Sequence, residues 1–337
     1  MEETQIQELQ QLLSTPKKIV IIPHKNPDGD AIGSCLGLFH YLEQYRHEVV
    51  IVAPNDYPEF LKWMPGESAI LKYEYQTEIA SEKIKEAELV FTLDFNSLSR
   101  IDDVAIALKS FTGTYVMIDH HQAPDDYAHF MYSDTSMSST CEMVYNFINF
   151  FNDTDKITHE IACCLYTGIM TDTGSFRFPS TTSNTHRIIA NLIDKGAENA
   201  NIHNAVFDTN SIDKLHLLGC ALKNLVALPA YNTVYITLSR EELQQFNYKK
   251  GDTEGFVNYG LSLQGVKFAV IFIESVQEDL IKISLRSKGD FSVNEFSRKH
   301  FNGGGHTNAA GGRSELSLEE TTKYFEGILK DYKQDLQ

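Results

Sequence analysis

Acidic and histidine residues stand at a few points within the first 172 positions: His24, Asp28, Asp30, Asp94, Asp119, His120, His121 and Asp172. Each falls at or just past the end of an apolar run that reads as a strand, or where a helix runs into a turn. All of them can therefore converge on one edge of a sheet. Carboxylates with a minority of imidazoles suit divalent manganese or magnesium, whereas zinc more often recruits thiolates or three imidazoles. Asp28, Asp30, Asp94 and Asp172 would leave too much charge around a single ion. A pair of ions sharing a bridging carboxylate is the better reading.

The first motif, His24-Lys-Asn-Pro-Asp28-Gly-Asp30, is a tight turn before a helix, whose dipole favours the carboxylates or a bound phosphate. Asp-Gly-Asp alone is a common turn sequence, and Asp94 alone, after Val90-Phe-Thr-Leu93, could simply cap the next helix. Their company favours reading them as ligands. Asp119-His120-His121 is a more specific ending to an apolar run: one imidazole can bind metal while the other faces substrate as a hydrogen-bond or proton donor. Asp172 closes a helix and is followed by small hydroxyl residues and by Arg177, a side chain suited to phosphate oxygens. Phe176 and Phe178 read as core.

These residues need strands and helices to place them. Apolar, β-branched-rich runs at 18–22, 48–52, 88–93 and 114–118 alternate with helical stretches, the first of them over 31–45. The alternation predicts an α/β fold, a mainly parallel sheet with helices on both faces and ligands outside the carboxyl ends of the strands. Helices follow over 139–150, 160–171 and 184–195, and Ser139-x-x-Glu142, Ser239-x-x-Glu242 and Ser317-x-x-Glu320 read as capping boxes. A connecting helix over 211–226 leads to strands at 233–238, 267–274 and 280–285. The expected domains are 1–195, a helical linker 196–229, and a smaller α/β domain 230–337, with the active site in the cleft between them.

The net charge of −17 argues against a broad basic surface for long nucleic acid and leaves room for a short anion. The N-terminus is acidic and polar, and no apolar run approaches the ~20 residues of a membrane helix, so a cytoplasmic protein without a membrane partner is expected. The 5 cysteines have neither zinc-knuckle nor disulfide spacing and read as reduced and mostly buried. Late in the chain, Gly303, Gly304 and Gly305 leave backbone N–H groups unobstructed, a candidate anion cradle to which His306 adds a donor.

Taken in order and spacing, the motifs resemble the DHH phosphoesterase superfamily, which includes RecJ-type exonucleases and type II inorganic pyrophosphatases. Asn302-Gly-Gly-Gly-His306-Thr-Asn-Ala-Ala310-Gly is similar to the glycine-rich signature of the DHH-associated C-terminal domain. The Thr-Gly-Ile-Met-Thr-Asp172-Thr-Gly-Ser-Phe run resembles most closely the nano-RNase/pAp-phosphatase subgroup. The resemblance covers nearly the whole chain. It implies one manganese on His24, Asp28 and Asp94 and a second on Asp30, Asp94, His120 and Asp172. It also implies that His121 faces the substrate phosphate, with Asp119 supporting the neighbouring imidazole. Arg286, Ser287 and the Asn302–His306 segment match positions that hold the nucleotide. Two departures, the absence of an asparagine shortly after His121 and Asn302 in place of a further glycine, touch substrate detail rather than metal ligands.

The expected activity is a manganese-dependent (or magnesium-dependent) phosphohydrolase that cuts very short oligoribonucleotides to 5′-mononucleotides and converts 3′-phosphoadenosine 5′-phosphate (pAp) to AMP. The runner-up is a cyclic- or linear-dinucleotide phosphodiesterase, followed by a RecJ-like single-strand exonuclease. A non-catalytic nucleotide-binding module is disfavoured because no expected ligand is missing, and a pyrophosphatase because of Arg286 and the glycine run. Expected partners are short RNAs, pAp or dinucleotides and not long duplexes, and a homodimer is left open.

Overall fold

The structure, a computed structural model, describes residues 1–337 as two compact units, Met1–Thr209 and Asn210–Gln337. The first runs α1 (Glu3–Leu12), β1 (Lys18–Pro23), α2 (Gly29–Glu43), β2 (Glu48–Ala53), β3 (Ile70–Lys72), α3 (Thr77–Glu86) and β4 (Leu89–Leu93). It continues through α4 (Val104–Leu108), β5 (Thr114–Asp119), β6 (Phe130–Ser133), α5 (Thr140–Phe150), α6 (His159–Asp172), α7 (Ser183–Asp194) and α8 (Asn199–Phe207). The strands form one wholly parallel sheet in the order β3-β2-β1-β4-β5-β6.

Because strands of a parallel sheet are covered on both faces, their side chains are apolar almost continuously; every residue of β4 is buried. Alternate residues feed opposite cores. Ile19, Ile21, Leu89, Phe91 and Leu93 pack with α2, α5 and α6, while Val20, Ile22 and Val90 pack with α3 and α4. The strand order reverses direction between β1 and β4, the switch point outside which ligands bind in open α/β sheets.

The second unit runs α9 (Ile212–Lys223), β7 (Val226–Leu228), β8 (Thr233–Leu238), α10 (Arg240–Gln245), α11 (Phe256–Leu261) and β9 (Phe268–Glu274). Then come β10 (Ile281–Ser287), α12 (Val293–His300), β11 (Gly304–His306), β12 (Ala309–Ser314) and α13 (Leu318–Leu329). Its sheet is mixed, in the order β11-β12-β10-β9-β8-β7, with only the β8–β9 pair parallel. A cluster of phenylalanines, Phe268, Phe272, Phe296 and Phe325, centres one of its cores. No helix in either unit is long and apolar enough to cross a membrane.

Expectation and structure part at three places. Residues 196–229, expected as a helical linker, form helices that pack into the units on either side: Ile202 and Val206 of α8 enter the first unit's core, and Leu217 and Ala221 of α9 enter a core of the second. Ser239 and Ser317 close full capping boxes, whereas Ser139 caps α5 but Glu142 turns its carboxylate to Ser138 and Thr185 instead. The short strands β3 and β6 escaped the periodicity reading because so few residues show no period.

The most extensive helix packing in the first unit is α2 against α6, and glycine permits it. A Cβ on Gly168 would lie 2.1 Å from Cys141 Sγ and 3.0 Å from Asp30 Oδ1, and one on Gly33 would lie 2.6 Å from the Cys164 carbonyl oxygen. Gly168→Ala is therefore a test of the packing. Alanine gains about 1 kcal/mol of helix propensity, but overpacking a filled core costs roughly 1–3 kcal/mol. A contact this short with a buried sulfur belongs at the upper end, so the melting temperature should fall. An unchanged melting temperature would mean that α2 and α6 can separate without cost.

Candidate metal centre

The strand order delivers the ligands side by side. His24 follows β1, Asp94 follows β4, and Asp119 ends β5 with His120 and His121 next, so three adjacent strands end in chemistry. The turn after β1 starts α2, where Asp28 is the N-cap and its Oδ1 accepts from the Asp30 and Ala31 N–H groups at 3.1 Å. Asp172 arrives from the other direction, at the end of α6, beside Asp30 because α2 and α6 pack so closely.

Within this edge the side chains fall into two overlapping groups around Asp94. His24 Nε2 lies 3.4 Å from Asp94 Oδ2 and 3.9 Å from Asp28 Oδ1. His120 Nε2 lies 3.5 Å from Asp94 Oδ1, 3.5 Å from Asp172 Oδ2 and 3.7 Å from Asp30 Oδ2. The sets His24/Asp28/Asp94 and Asp30/His120/Asp172 each keep their ligand atoms within 4.8 Å of one another. Asp94 offers one oxygen to each side, as a bridging carboxylate must. Its backbone has φ = 65°, a left-handed conformation that costs a non-glycine residue and that tertiary structure has to hold.

Backbone carbonyls set the orientation of both imidazoles. His24 Nδ1 is 2.8 Å from the Lys25 oxygen and His120 Nδ1 is 3.2 Å from the Met137 oxygen. A carbonyl only accepts, so each Nδ1 carries a proton and each Nε2 is the atom turned toward the carboxylates, the arrangement found around metal-binding histidines. His121 is different: its Nδ1 pairs with Asp119 Oδ1 at 2.7 Å.

Charge decides what this cluster can hold. Asp30 is 1% exposed, and burial followed by the neighbouring Asp94 and Asp172 pushes its carboxyl well above the usual range. Burial works against charge on Asp94 as well, yet hydrogen bonds with His120 and His24 hold it well below that range. Burial likewise opposes charge on His120, but Asp94 and Asp172 raise its pKa well above the ordinary imidazole value. The Asp119 Oδ2 atom is buried with no hydrogen-bond partner. Carboxylates this crowded require positive charge among them, and oxygen atoms with two imidazoles fit hard divalent cations.

The sequence reading missed several residues that build this centre. Asp30 accepts from the Thr140 N–H at 2.6 Å and the Cys141 N–H at 2.8 Å, so the N-terminus of α5 is aimed at one carboxylate. The Thr140 hydroxyl donates to Asp94 Oδ1 at 3.0 Å. Thr140 is 110 residues from Asp30 and carries no motif, so only the fold could reveal it. Arg100 brings a positive charge that acts on both His24 and His121. Its sequence signal was weak, a single arginine in the short 3-10 turn Leu98–Ile101.

Two family models match the chain, the DHH family N-terminal domain over residues 18–169 and the DHHA1 domain over residues 231–331. The bifunctional oligoribonuclease and PAP phosphatase NrnA of Bacillus subtilis is 30% identical over 306 residues, which span 90% of this chain and 91% of that protein. The chain belongs to the DHH family. NrnA of Thermus thermophilus is likewise 30% identical, over 94% of this chain and 90% of its own. Among solved structures, an exopolyphosphatase-related protein from Bacteroides fragilis superimposes with a TM-score of 0.94 at 41% identity, covering 99% of this chain and 98% of its own. As a DHH-family member the protein is a hydrolase acting on phosphoester bonds.

Other candidate residues stand differently. Arg177 is exposed, with Nε donating to the Gly174 carbonyl at 2.7 Å, and Phe176 packs on the core as expected. In the second unit Arg286 is half-buried on β10, donating from one guanidinium nitrogen to the Leu285 carbonyl. Ser287 is buried, and its hydroxyl donates to the Phe291 carbonyl and accepts from Asn308, so it holds a loop rather than offering a ligand contact. The glycine run is not an open anion cradle. Gly304–His306 is strand β11 paired with β12, the Gly303 N–H goes to the Ser297 carbonyl, and the Gly305 N–H goes to the Asn294 side chain. Glycine is needed there for close approach: a Cβ on Gly303 would lie 1.9 Å from the Gly311 carbonyl oxygen. Asn302, exposed with φ = 48°, turns the chain into that strand.

Asp94→Ala tests the shared carboxylate. Manganese should raise the melting temperature of the wild-type protein by binding the folded state, and this rise should vanish in the variant together with turnover. A variant whose melting temperature still climbs with manganese would refute the assignment of Asp94 to both ions.

Proposed function

We propose that the protein is a manganese-dependent phosphohydrolase that releases 5′-mononucleotides from very short RNAs and converts pAp to AMP. The observation that carries this reading is the pair of carboxylate–imidazole groups meeting on the two oxygens of Asp94. Relatives named for the same two activities support it. In this reading His24, Asp28 and Asp94 hold one cation, and Asp30, Asp94, His120 and Asp172 hold the other. Such ions supply Lewis-acid stabilisation of the phosphoryl oxygens and lower the pKa of the attacking water.

The chain's own groups do the rest. Asp119 accepts from His121 Nδ1–H and so fixes that ring with Nε2 toward the substrate; burial favours the neutral ring, and a bound anionic phosphate would favour a second proton on Nε2, which the ring could then donate to the leaving oxygen. Thr140 and the start of α5 keep Asp94 and Asp30 in place during turnover. Arg100 draws the anionic phosphate toward His121. In the second unit, Arg286 and His306 hold the part of the nucleotide away from the scissile phosphate, and the glycines shape the strand that carries His306.

Substrate length follows from charge. A net charge of −17 argues against an extended basic track for a long strand. The experiment is a manganese assay of the purified protein against pAp, short RNAs, cyclic di-AMP and pyrophosphate in parallel. Catalytic efficiency should be highest for pAp and for RNAs of about two to five nucleotides and fall steeply beyond. Equal degradation of a long 5′-labelled RNA would replace this reading with a RecJ-like exonuclease, and preference for cyclic di-AMP with a dinucleotide phosphodiesterase.

Arg286→Ala separates grip from chemistry. Loss of a charge-assisted contact should raise KM about tenfold while metal content by elemental analysis stays that of the wild type. Loss of metal in this variant would contradict the division of labour.

A further inference from the structure

Residues 137–141, which lead into α5, touch three of the metal-type side chains. The Met137 carbonyl accepts from His120 Nδ1 at 3.2 Å, and the Thr140 hydroxyl donates to Asp94 Oδ1 at 3.0 Å. The Thr140 and Cys141 N–H groups donate to the two oxygens of Asp30 at 2.6 and 2.8 Å. Any shift of this stretch is therefore passed to His120, Asp94 and Asp30 together. The stretch is itself gripped near its middle, by Glu142.

Glu142 lies in the first turn of α5 and is 2% exposed, a carboxylate almost wholly out of water. A glutamate at that position of a capping box turns back to the N–H of the capping residue, here Ser139. Its Oε2 instead reaches one residue further, accepting from the Ser138 N–H at 3.4 Å and from the Ser138 hydroxyl, and it accepts from the Thr185 hydroxyl at 3.0 Å as well. Oε1 accepts from the Asn184 side-chain amide at 3.4 Å. Asn184 and Thr185 belong to the first turn of α7, the positive end of that helix, which suits an anion. One carboxylate thus ties Ser138 to α7. No basic side chain is among these donors, and a carboxylate buried without one is costly to keep. An apolar side chain would pack α5 on α7 at less cost, but it could not hold a main-chain N–H and a hydroxyl in the stretch between Met137 and Thr140.

We propose that Glu142 is a positioning residue for the metal centre. By fixing Ser138 against α7 it fixes the Met137 carbonyl and the first turn of α5, and through them the orientation of His120, Asp94 and Asp30. It acts through the main chain, one step further from the ions than the groups that hydrogen-bond the ligands. The proposal rests on the assignment of those three side chains to divalent cations.

Calorimetric titration of the full-length protein with manganese tests this, with the melting temperature of the metal-free form measured beside it. Glu142→Ala should weaken manganese binding roughly 10–100-fold, the usual effect of removing a group that orients metal ligands, while KM for pAp at saturating manganese stays that of the wild type. Glu142→Gln keeps an acceptor oxygen for Ser138 and Thr185 and should recover most of the lost affinity. Ile188→Ala, which opens a cavity where α7 meets the core, is the control: it should lower the metal-free melting temperature and leave manganese affinity unchanged. If Glu142→Ala fails to fold, Ser138→Ala decides; it removes one donor, keeps the carboxylate and should weaken manganese about tenfold. Wild-type manganese affinity in the deciding variant, an equal loss in Ile188→Ala, or a glutamine variant no better than alanine overturns the proposal. A wild-type protein that takes up no manganese would overturn the metal assignment itself, and this proposal with it.

Discussion

Crowded negative charge at the carboxyl edge of the first sheet is the constraint on which the rest of the structure depends. Asp30 and Asp94 are almost fully buried and share one imidazole, His120, that also reaches Asp172. Carboxylates so close and so dry repel one another strongly, and a fold that keeps them together must supply compensation. It does so through N–H groups at the start of α5, a hydroxyl from Thr140 and imidazoles whose outward nitrogens are held by carbonyls. The remaining deficit is one that divalent cations could offset.

That arrangement also accounts for the tight packing behind it. Asp30 and Asp172 belong to different helices and can meet only if α2 and α6 approach with glycine between them. Cys141, which fills the gap beside Gly168, is at the same time the residue whose N–H binds Asp30, so one position serves the core and the centre. Such coupling makes the interior of the first unit intolerant: an added methyl would be felt at Asp30 rather than absorbed by a remote void.

The second unit meets a different demand. Its glycine run packs one strand against another, with the Gly303 and Gly305 N–H groups already spent on Ser297 and Asn294. A glycine-rich segment in sequence is compatible with an anion cradle and with a close backbone crossing. Here the crossing uses the glycines.

The placement of His24, Asp94 and Asp119 was legible in the sequence because each sits at or just past the end of an apolar run, and such runs report strands whatever surrounds them. The parallel α/β class was legible for the same reason, as were strands β1, β2, β4 and β5, of which β1, β4 and β5 lead to His24, Asp94 and Asp119. Local patterns end there. Which oxygen of Asp94 faces which imidazole, the pairing of His121 with Asp119, and the role of Thr140 depend on contacts between residues far apart in the chain. The fate of residues 196–229 and the spent N–H groups of the glycine run were likewise decided by tertiary packing. Side-chain type and spacing state what a residue can do, but hydrogen-bond partners and burial, which select among those capacities, are properties of three-dimensional neighbours.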